Sequence, residues 1–529
     1  MSTITLRSAH GKYLCAEADL SVSATRDKAS VWEQWEVEPH ANNMVALKSV
    51  HGRYLCAEQG GLITANRMAV GPWELFEPRQ LGDDSGCLVS WMGTFLCADG
   101  VGRVIADRQT LGPWETWTSP LFATPVAPPV SPRTGPVSLL GRCMADDGGP
   151  YLALGTTYFP LLWMVAHDRK RAEANLTWLA QRGVQFVRAL GEVGGSTWAD
   201  RVIDPRSPDW TNQFRDAMVS ARACGLRVEM TLFGGGVLTK EFEWSQACDR
   251  FVDAVRPHQQ TVQFVEVQNE GLGPTVSQAR SLASRVRAML GLNCAITGTP
   301  EAGLAAIYKD SRASIMTLHC DRDYRERGYR PIRQVKTEVE WAGPWVNNEP
   351  IGIDSSVAAE ADPVKLAAGA ITTWLVGSCA HVLHTGAGIR AGGSVDVERG
   401  RKANVWEQPS LEPTLALIVA AKQRLPADLP NWSRKTHGWA DHPLRFATDV
   451  GDGVEASESV HGCNRAYAAV AGDGRWVCFV AGIQHAVSFT VASPMTLWSL
   501  STGRVGSVGP GTYALTVAEW GECVLLASA

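Results

Sequence analysis

One short pattern recurs three times at a fixed spacing in the first 118 residues, and it restricts the fold more tightly than any other feature. Tyr13-Leu14-Cys15-Ala16-Glu17 returns as Tyr54-Leu55-Cys56-Ala57-Glu58 and again as Phe95-Leu96-Cys97-Ala98-Asp99, each copy 41 residues after the last. Two further markers keep step: Ala24-Thr25-Arg26 with Ala65-Asn66-Arg67 and Ala106-Asp107-Arg108, and Trp32-Glu33 with Trp73-Glu74 and Trp114-Glu115. Each unit reads as short alternating strands broken by turns such as His10-Gly11, His51-Gly52 and Met92-Gly93. Three units are too few for a typical propeller, and without helices they make no solenoid. A closed β-trefoil remains. Leu14, Cys15, Trp32 and their counterparts then form its threefold core, because threefold apolar repetition is what such a core requires.

In sequence these units resemble the fascin-like trefoils, whose repeats carry a Gly-Lys/Arg-Tyr-Leu pattern. The resemblance implies a glycan-binding or docking module over residues 1–118. Cytoskeletal bundling through the same module would need several trefoils or a dimer.

Residues 119–136 hold six prolines, which forbid helix and favour an extended linker. From 137 to 426 strands and helices alternate. Helices are predicted over 169–182, 212–224, 241–256, 276–290, 362–376 and 411–424, and the strands between them suggest a (β/α)8 TIM barrel. Two of those strands end on acids: Thr261 to Asn269-Glu270-Gly271 as strand four, and Pro344 to Asn348-Glu349-Pro350 as strand seven. A carboxylate on the last residue of a barrel strand has left the packed interior for the C-terminal rim, where such barrels place chemistry. Two facing rim carboxylates are the minimum equipment of a glycosidase.

The hairpin-like opening at Gly141-Arg142, the run Gly155 to Phe159 and the two Asn-Glu strand ends resemble clan A retaining glycoside hydrolases, the cellulase and mannanase-like barrels. The resemblance implies cleavage of a poly- or oligosaccharide by double displacement, with Glu270 as acid/base and Glu349 as nucleophile. Arg188, in step with Phe186 and Leu190 on strand two, would hold Glu349 charged; His319 would orient either carboxyl, and Asn269 would bind a sugar hydroxyl. Tyr158, Trp345 and His384 are further substrate-binding candidates, beside the rings of Trp163, Trp198, Trp210 and Trp406. Glu266 reads as an interior charge paired with an arginine, while Glu192, Glu229, Glu301 and Glu338 are acids with less context. His381 and His384, three apart on a strand, point to opposite faces, so no metal and no cofactor is expected. The chain departs from the family at His319-Cys320-Asp321 and His384 to Gly388, which implies an altered −1 subsite and makes Asp321 a candidate contact.

A net charge of −5 with both signs scattered gives no basic stripe for nucleic acid. No apolar run approaches the roughly 20 residues that span a bilayer, so no membrane insertion is expected. The first residues lack a basic and an apolar signal region, implying cytoplasmic synthesis with action cytoplasmic, non-classically exported or virion-associated. Thirteen cysteines without a CxxC spacing read as buried free thiols, and twenty tryptophans lean towards carbohydrate. Short strands over 427–529 suggest a small antiparallel β-sandwich with no site of its own. The alternative to a hydrolase is a non-catalytic glycan-binding adhesin or virion component, such as part of a phage tail; intact Glu270 and Glu349 favour the hydrolase.

Overall fold

The computed structural model describes residues 2–40, 44–80, 85–119, 121–122, 133–298, 304–309, 311–319, 343–353, 359–386, 403–435, 444–446, 465–481, 487–515 and 523–528. They fall into two compact units, 1–126 and 127–529.

The first unit is all-β. Its three copies form equivalent hairpins, Tyr13–Ala16 with Val22–Arg26, Tyr54–Ala57 with Ile63–Arg67 and Phe95–Ala98 with Val104–Arg108, each with the same irregularity in register. Backbone bonds run round the copies. Ala24 N donates to Gly102 O at 2.8 Å, Ala65 N to Leu20 O at 2.9 Å and Ala106 N to Gly61 O at 2.7 Å, which closes a threefold ring. The residue accepting each bond has positive φ: Leu20 (75°), Gly61 (87°) and Gly102 (84°).

Leu14, Leu55, Leu96 and the three repeated cysteines are fully buried, as the repeat requires. Trp32 is not. The 3-10 turn Val31–Glu33 rotates Trp32 outwards to half-buried and carries Glu33 inwards, where its carboxylate caps the turn by accepting Ser30 N at 2.7 Å. The aromatic core position lies three residues later, at Trp35, Phe76 and Trp117, all without exposed surface. Their shared 41-residue step was present in the sequence, hidden because one copy is Phe.

The second unit opens with a small antiparallel sheet, Ser138–Leu140, Cys143–Asp146 and Gly149–Tyr151. Eight parallel strands follow: β1 (Ala153–Thr157), β2 (Phe186–Leu190), β3 (Arg227–Phe233), β4 (Val262–Asn269), β5 (Cys294–Gly298), β6 (Met316–Leu318), β7 (Trp345–Asn347) and β8 (Ala380–Leu383). β1 pairs with both β2 and β8, and neighbours pair onward to β5 on one side and β6 on the other. At the β5–β6 seam Ser314 N and Ile315 N donate to Cys294 O at 3.0 and 3.3 Å and Cys294 N donates to Ser314 Oγ at 2.9 Å, in place of a regular ladder, so the barrel is nearly closed. Among the described residues the helices are α1 (Leu161–His167), α2 (Arg169–Gln181), α3 (Trp210–Ala223), α4 (Glu241–Val255), α5 (Val276–Leu290), α6 (Leu304–Tyr308), α7 (Pro363–Leu375) and α8 (Leu411–Lys422). The connection from β6 to β7 lies outside the described residues, as do Glu301, Asp321 and Glu338.

Strand alternation sorts the barrel's side chains. Val187, Ala189, Val228, Met230, Val265 and Val267 face the helices, whereas Phe186, Phe264, Val346 and Val382 point inwards and pack with Met144 and Tyr151 of the small sheet. That sheet therefore seals the N-terminal end with an apolar floor. One layer higher, the interior turns polar.

Two antiparallel sheets complete the chain, one containing Arg465–Val470, Trp476–Ala481, Met495–Ser499 and Cys523–Ser528, the other Leu444–Phe446, Val487–Val491 and Gly511–Leu515. Tyr467, Phe479 and Trp498 join the same apolar cluster as α7. Among the described residues ten cysteines are unpaired, nine of them buried, and no helix is long and apolar enough to cross a membrane.

Candidate active site

Arg188 organises the polar layer. β2 alternation points it into the barrel, where it has no solvent contact and where only charged partners make a guanidinium tolerable. Nη1 donates to Glu349 Oε2 at 2.8 Å; Nη2 donates to Glu266 Oε2 at 2.9 Å and to Asn269 Oδ1 at 2.8 Å; Nε donates to Thr231 Oγ1 at 3.3 Å. Burial opposes its charge, but Glu266, Glu349 and Glu229 outweigh that and hold it more firmly protonated than an ordinary arginine. Glu266 is thus an interior charge paired with an arginine, as its spacing predicts.

Above this layer, at the strand ends, stand Glu270, His319 and Glu349. His319 is buried, and its Nδ1 lies 3.1 Å from Glu270 Oε1 and 3.3 Å from Glu349 Oε2. Its Nε2 lies 3.4 Å from Arg188 Nη2. The rim groups converge closely enough that one oxygen of Glu270 and one of Glu349 lie within 4.8 Å of each other.

The two glutamates differ in setting. Glu349 is nearly buried against Arg188, whereas the Glu270 side chain is 37% exposed. Glu270 has φ +47° and Gly271 φ +72°, in a tight turn closed by Leu272 N donating to Asn269 O at 2.7 Å. A non-glycine residue in the left-handed region is uncommon and costs energy, and such residues concentrate at functional sites. Among the described residues only Leu20 shares that property with Glu270.

Gly298, ending β5, shapes this pocket by having no side chain: a Cβ there would run into the His319 ring and come within 3.0 Å of Glu266 Oε1. The ring can sit between the carboxylates only because that position is glycine.

Several expected substrate contacts lie elsewhere. Tyr158 is fully buried on the helix side of β1, its hydroxyl accepting from Asn175 Nδ2 of α2 at 3.2 Å, and burial pushes its phenol up. Trp345 also faces the helices, in the outer apolar cluster, because its neighbour Val346 takes the inward position. Trp210 is buried in α3, with Nε1 donating to Gly191 O at 2.7 Å. Trp163 stacks on His167 at 4.2 Å, and Trp406 is exposed in the 3-10 turn Val405–Glu407.

The ring that does face Arg188 is Phe159, with the guanidinium carbon 5.4 Å from its centroid. His384 packs against Phe159 at 5.8 Å, and Trp198 packs against the same Phe159 ring at 6.4 Å. Counting one residue past Tyr158 in the strand's alternation would have found it. His381 turns the other way, to Thr373 and Trp374 of α7, and burial pushes its imidazole down to about 3.

Three acids outside the pair find definite places. Glu192 accepts Gly235 N, Val237 N and Leu238 N at 2.8, 2.8 and 3.1 Å, tying the loop after β3 to the one after β2. Glu229 and Glu266 share Asn348, whose Nδ2 lies 3.1 Å from an oxygen of each. Asn348 was legible only as the residue before Glu349.

Glu270, His319 and Glu349 could also converge on a cation, since each offers a ligand atom to the same space. Glu349 Oε2 accepts from Arg188 Nη1, which sets a fixed positive charge 2.8 Å from that carboxylate. The donor set fits a proton-transfer pair better than a metal.

Residues 1–78 match the Fascin domain family, in agreement with the β-trefoil-like repeat. No curated protein matches the chain.

Proposed function

We propose that the chain is a retaining glycoside hydrolase acting on a poly- or oligosaccharide, with Glu270 as acid/base and Glu349 as nucleophile on a full (β/α)8 barrel. One observation carries the reading: oxygens of these two side chains, from the ends of β4 and β7, lie within 4.8 Å of each other across His319 Nδ1. Retaining glycosidases hold their carboxyls about 5 to 5.5 Å apart, and inverting ones leave room for an intervening water.

The asymmetry of the pair supports the assignment of roles. Arg188 supplies a permanent counter-charge to Glu349, as a nucleophile needs, while the more exposed Glu270 can exchange a proton with substrate and water. In the first step the Glu270 O–H proton passes to the glycosidic oxygen, the C1–O bond breaks, and a Glu349 oxygen bonds to C1. In the second, Glu270 takes a proton from water, the water oxygen bonds to C1, and the ester bond to Glu349 breaks to return the carboxylate. Asn269, held by Arg188 at 2.8 Å, lies beside the acid where a sugar hydroxyl would sit. Phe159, Trp198 and His384 offer ring surface at the mouth.

In this reading the N-terminal unit docks the enzyme on glycan, supported by the exposed rings of Trp91 and Trp114. The deciding experiment is a hydrolysis screen over a glycan panel, comparing the natural chain with Glu349→Ala with and without azide. Cleavage that is lost in the variant and restored as a glycosyl azide supports the proposal. Cleavage indifferent to Glu349 refutes it.

A further inference from the structure

We propose that Glu229 sits beneath the cleft as a neutral carboxylic acid, a positioning residue whose lack of charge leaves Arg188 committed to Glu266 and Glu349. Its effect on glycan cleavage rests on the hydrolase reading; its charge state does not.

The geometry argues by counting donors. Arg188 brings one positive charge to three carboxyls, those of Glu229, Glu266 and Glu349, at 3.4, 2.9 and 2.8 Å. Its hydrogen bonds go to Glu349, Glu266, Asn269 and Thr231. Glu229, fully buried, receives one neutral donor, Asn348 Nδ2, on Oε1, while its Oε2 has no hydrogen-bond partner among the described residues. An ionised carboxylate with a bare buried oxygen is expensive, whereas a carboxylic acid in the same place turns one of its oxygens into a donor. In the same pair of residues, Asn348 Oδ1 is also buried without a donor among the described residues. A proton on Glu229 supplies a donor to a pair that is short of one.

The surrounding charges agree. Burial pushes the Glu229 carboxyl up to about 8, with Arg188 pulling down and Glu266 and Glu349 pushing up. Burial acts on Glu266 as well, but Arg188, His319 and the hydroxyls of Thr317 and Thr231 outweigh it and hold that carboxyl below its usual range. The groups facing Glu229 are therefore Arg188 on β2, Glu266 on β4, and Asn348 and Glu349 after β7. His319 acts through Glu266, and the Cys379 thiol before β8, which also feels Glu229, is itself pushed up by burial.

The sign of the pH dependence follows. Between the ordinary 4.5 and about 8, the unfolded chain has released this proton while the folded chain retains it. Rising pH in that window favours unfolding by up to about tenfold per unit, and the slope ends above it, where both states are ionised.

The test is isotope-edited infrared spectroscopy of the full chain carrying ¹³C-labelled glutamate, titrated between the two limits and beyond. The expected result is a buried protonated-carboxyl band that disappears with a midpoint near 8 and is missing from Glu229→Gln, which should keep the barrel folded because it preserves a neutral side chain. Absence of the band around pH 6, or its persistence in Glu229→Gln, overturns the proposal. So does a Glu229→Gln chain that loses its fold while Glu266→Gln keeps it. Hydrolysis is measured on the same samples. A titrating Glu229 band in a chain that cleaves no glycan sinks the hydrolase reading alone, and cleavage by a chain whose Glu229 is ionised around pH 6 sinks this one alone.

Discussion

Arginine, glutamate and an aromatic ring meet three times in the N-terminal unit and once inside the barrel, on opposite terms. In the first unit Arg26, Arg67 and Arg108 lie 6.0, 5.5 and 4.9 Å over Trp32, Trp73 and Trp114, and each pairs with a glutamate: Glu17 and Glu58 at equivalent positions and, in the third copy, where Asp99 takes that place, Glu115 of the following turn. These guanidiniums are open to solvent. In the barrel Arg188 is fully buried over Phe159, and no other cluster among the described residues repeats its surroundings. A cluster that recurs with the fold's own symmetry is accounted for by the architecture. A lone buried charge is not, because packing an apolar side chain there would serve stability as well or better. The two left-handed residues divide in the same way: Leu20 has glycine at both symmetry-related positions, whereas Glu270 stands at the mouth beside His319.

The comparison breaks first at Glu349. Glu349→Ala should lower hydrolysis by roughly 10⁴-fold or more, as removal of a nucleophile does, while Glu58→Ala in the first unit should leave the rate on a small soluble glycoside unchanged. Steady-state kinetics on both variants checks this. Next is stability: Arg188→Met strands buried carboxylates and should cost about 3–5 kcal/mol in denaturant melts, against little change for the solvent-facing Arg67→Met. Third, Gly298→Ala should displace His319 and cut the rate about 10²-fold while the circular dichroism spectrum of the fold persists. A Gly298→Ala enzyme of normal rate would show that His319 need not sit between the carboxylates. The smallest effect sharpens the contrast: Leu20→Gly should stabilise the first unit by about 1 kcal/mol, since it relieves a left-handed side chain with no site to serve.

The repeat and the alternation of strands and helices were legible because both are periodic. The predicted helix over 276–290 coincides with α5. Arg188, Asn269, Glu270, His319 and Glu349 meet because strand ends of one barrel must converge. The mistakes at Tyr158, Trp345 and Trp32 share one cause. Aromatic identity marks a residue as large and flat, but only its parity in a strand, or its place in a turn, decides which side it faces. Gly298 and Asn348 could not be read from periodicity, because their roles exist only between strands that are distant in sequence.

The most direct test of the paired-carboxylate account is mass spectrometry of the chain after treatment with a panel of activated 2-deoxy-2-fluoroglycosides, which form the glycosyl ester but hydrolyse it slowly. A single glycosyl mass is predicted on the peptide containing Glu349, absent from Glu349→Gln and still formed in Glu270→Ala, because an activated leaving group departs without the acid's proton. A glycosyl mass on another residue, or turnover of the same probes by Glu349→Gln at the natural rate, would contradict it.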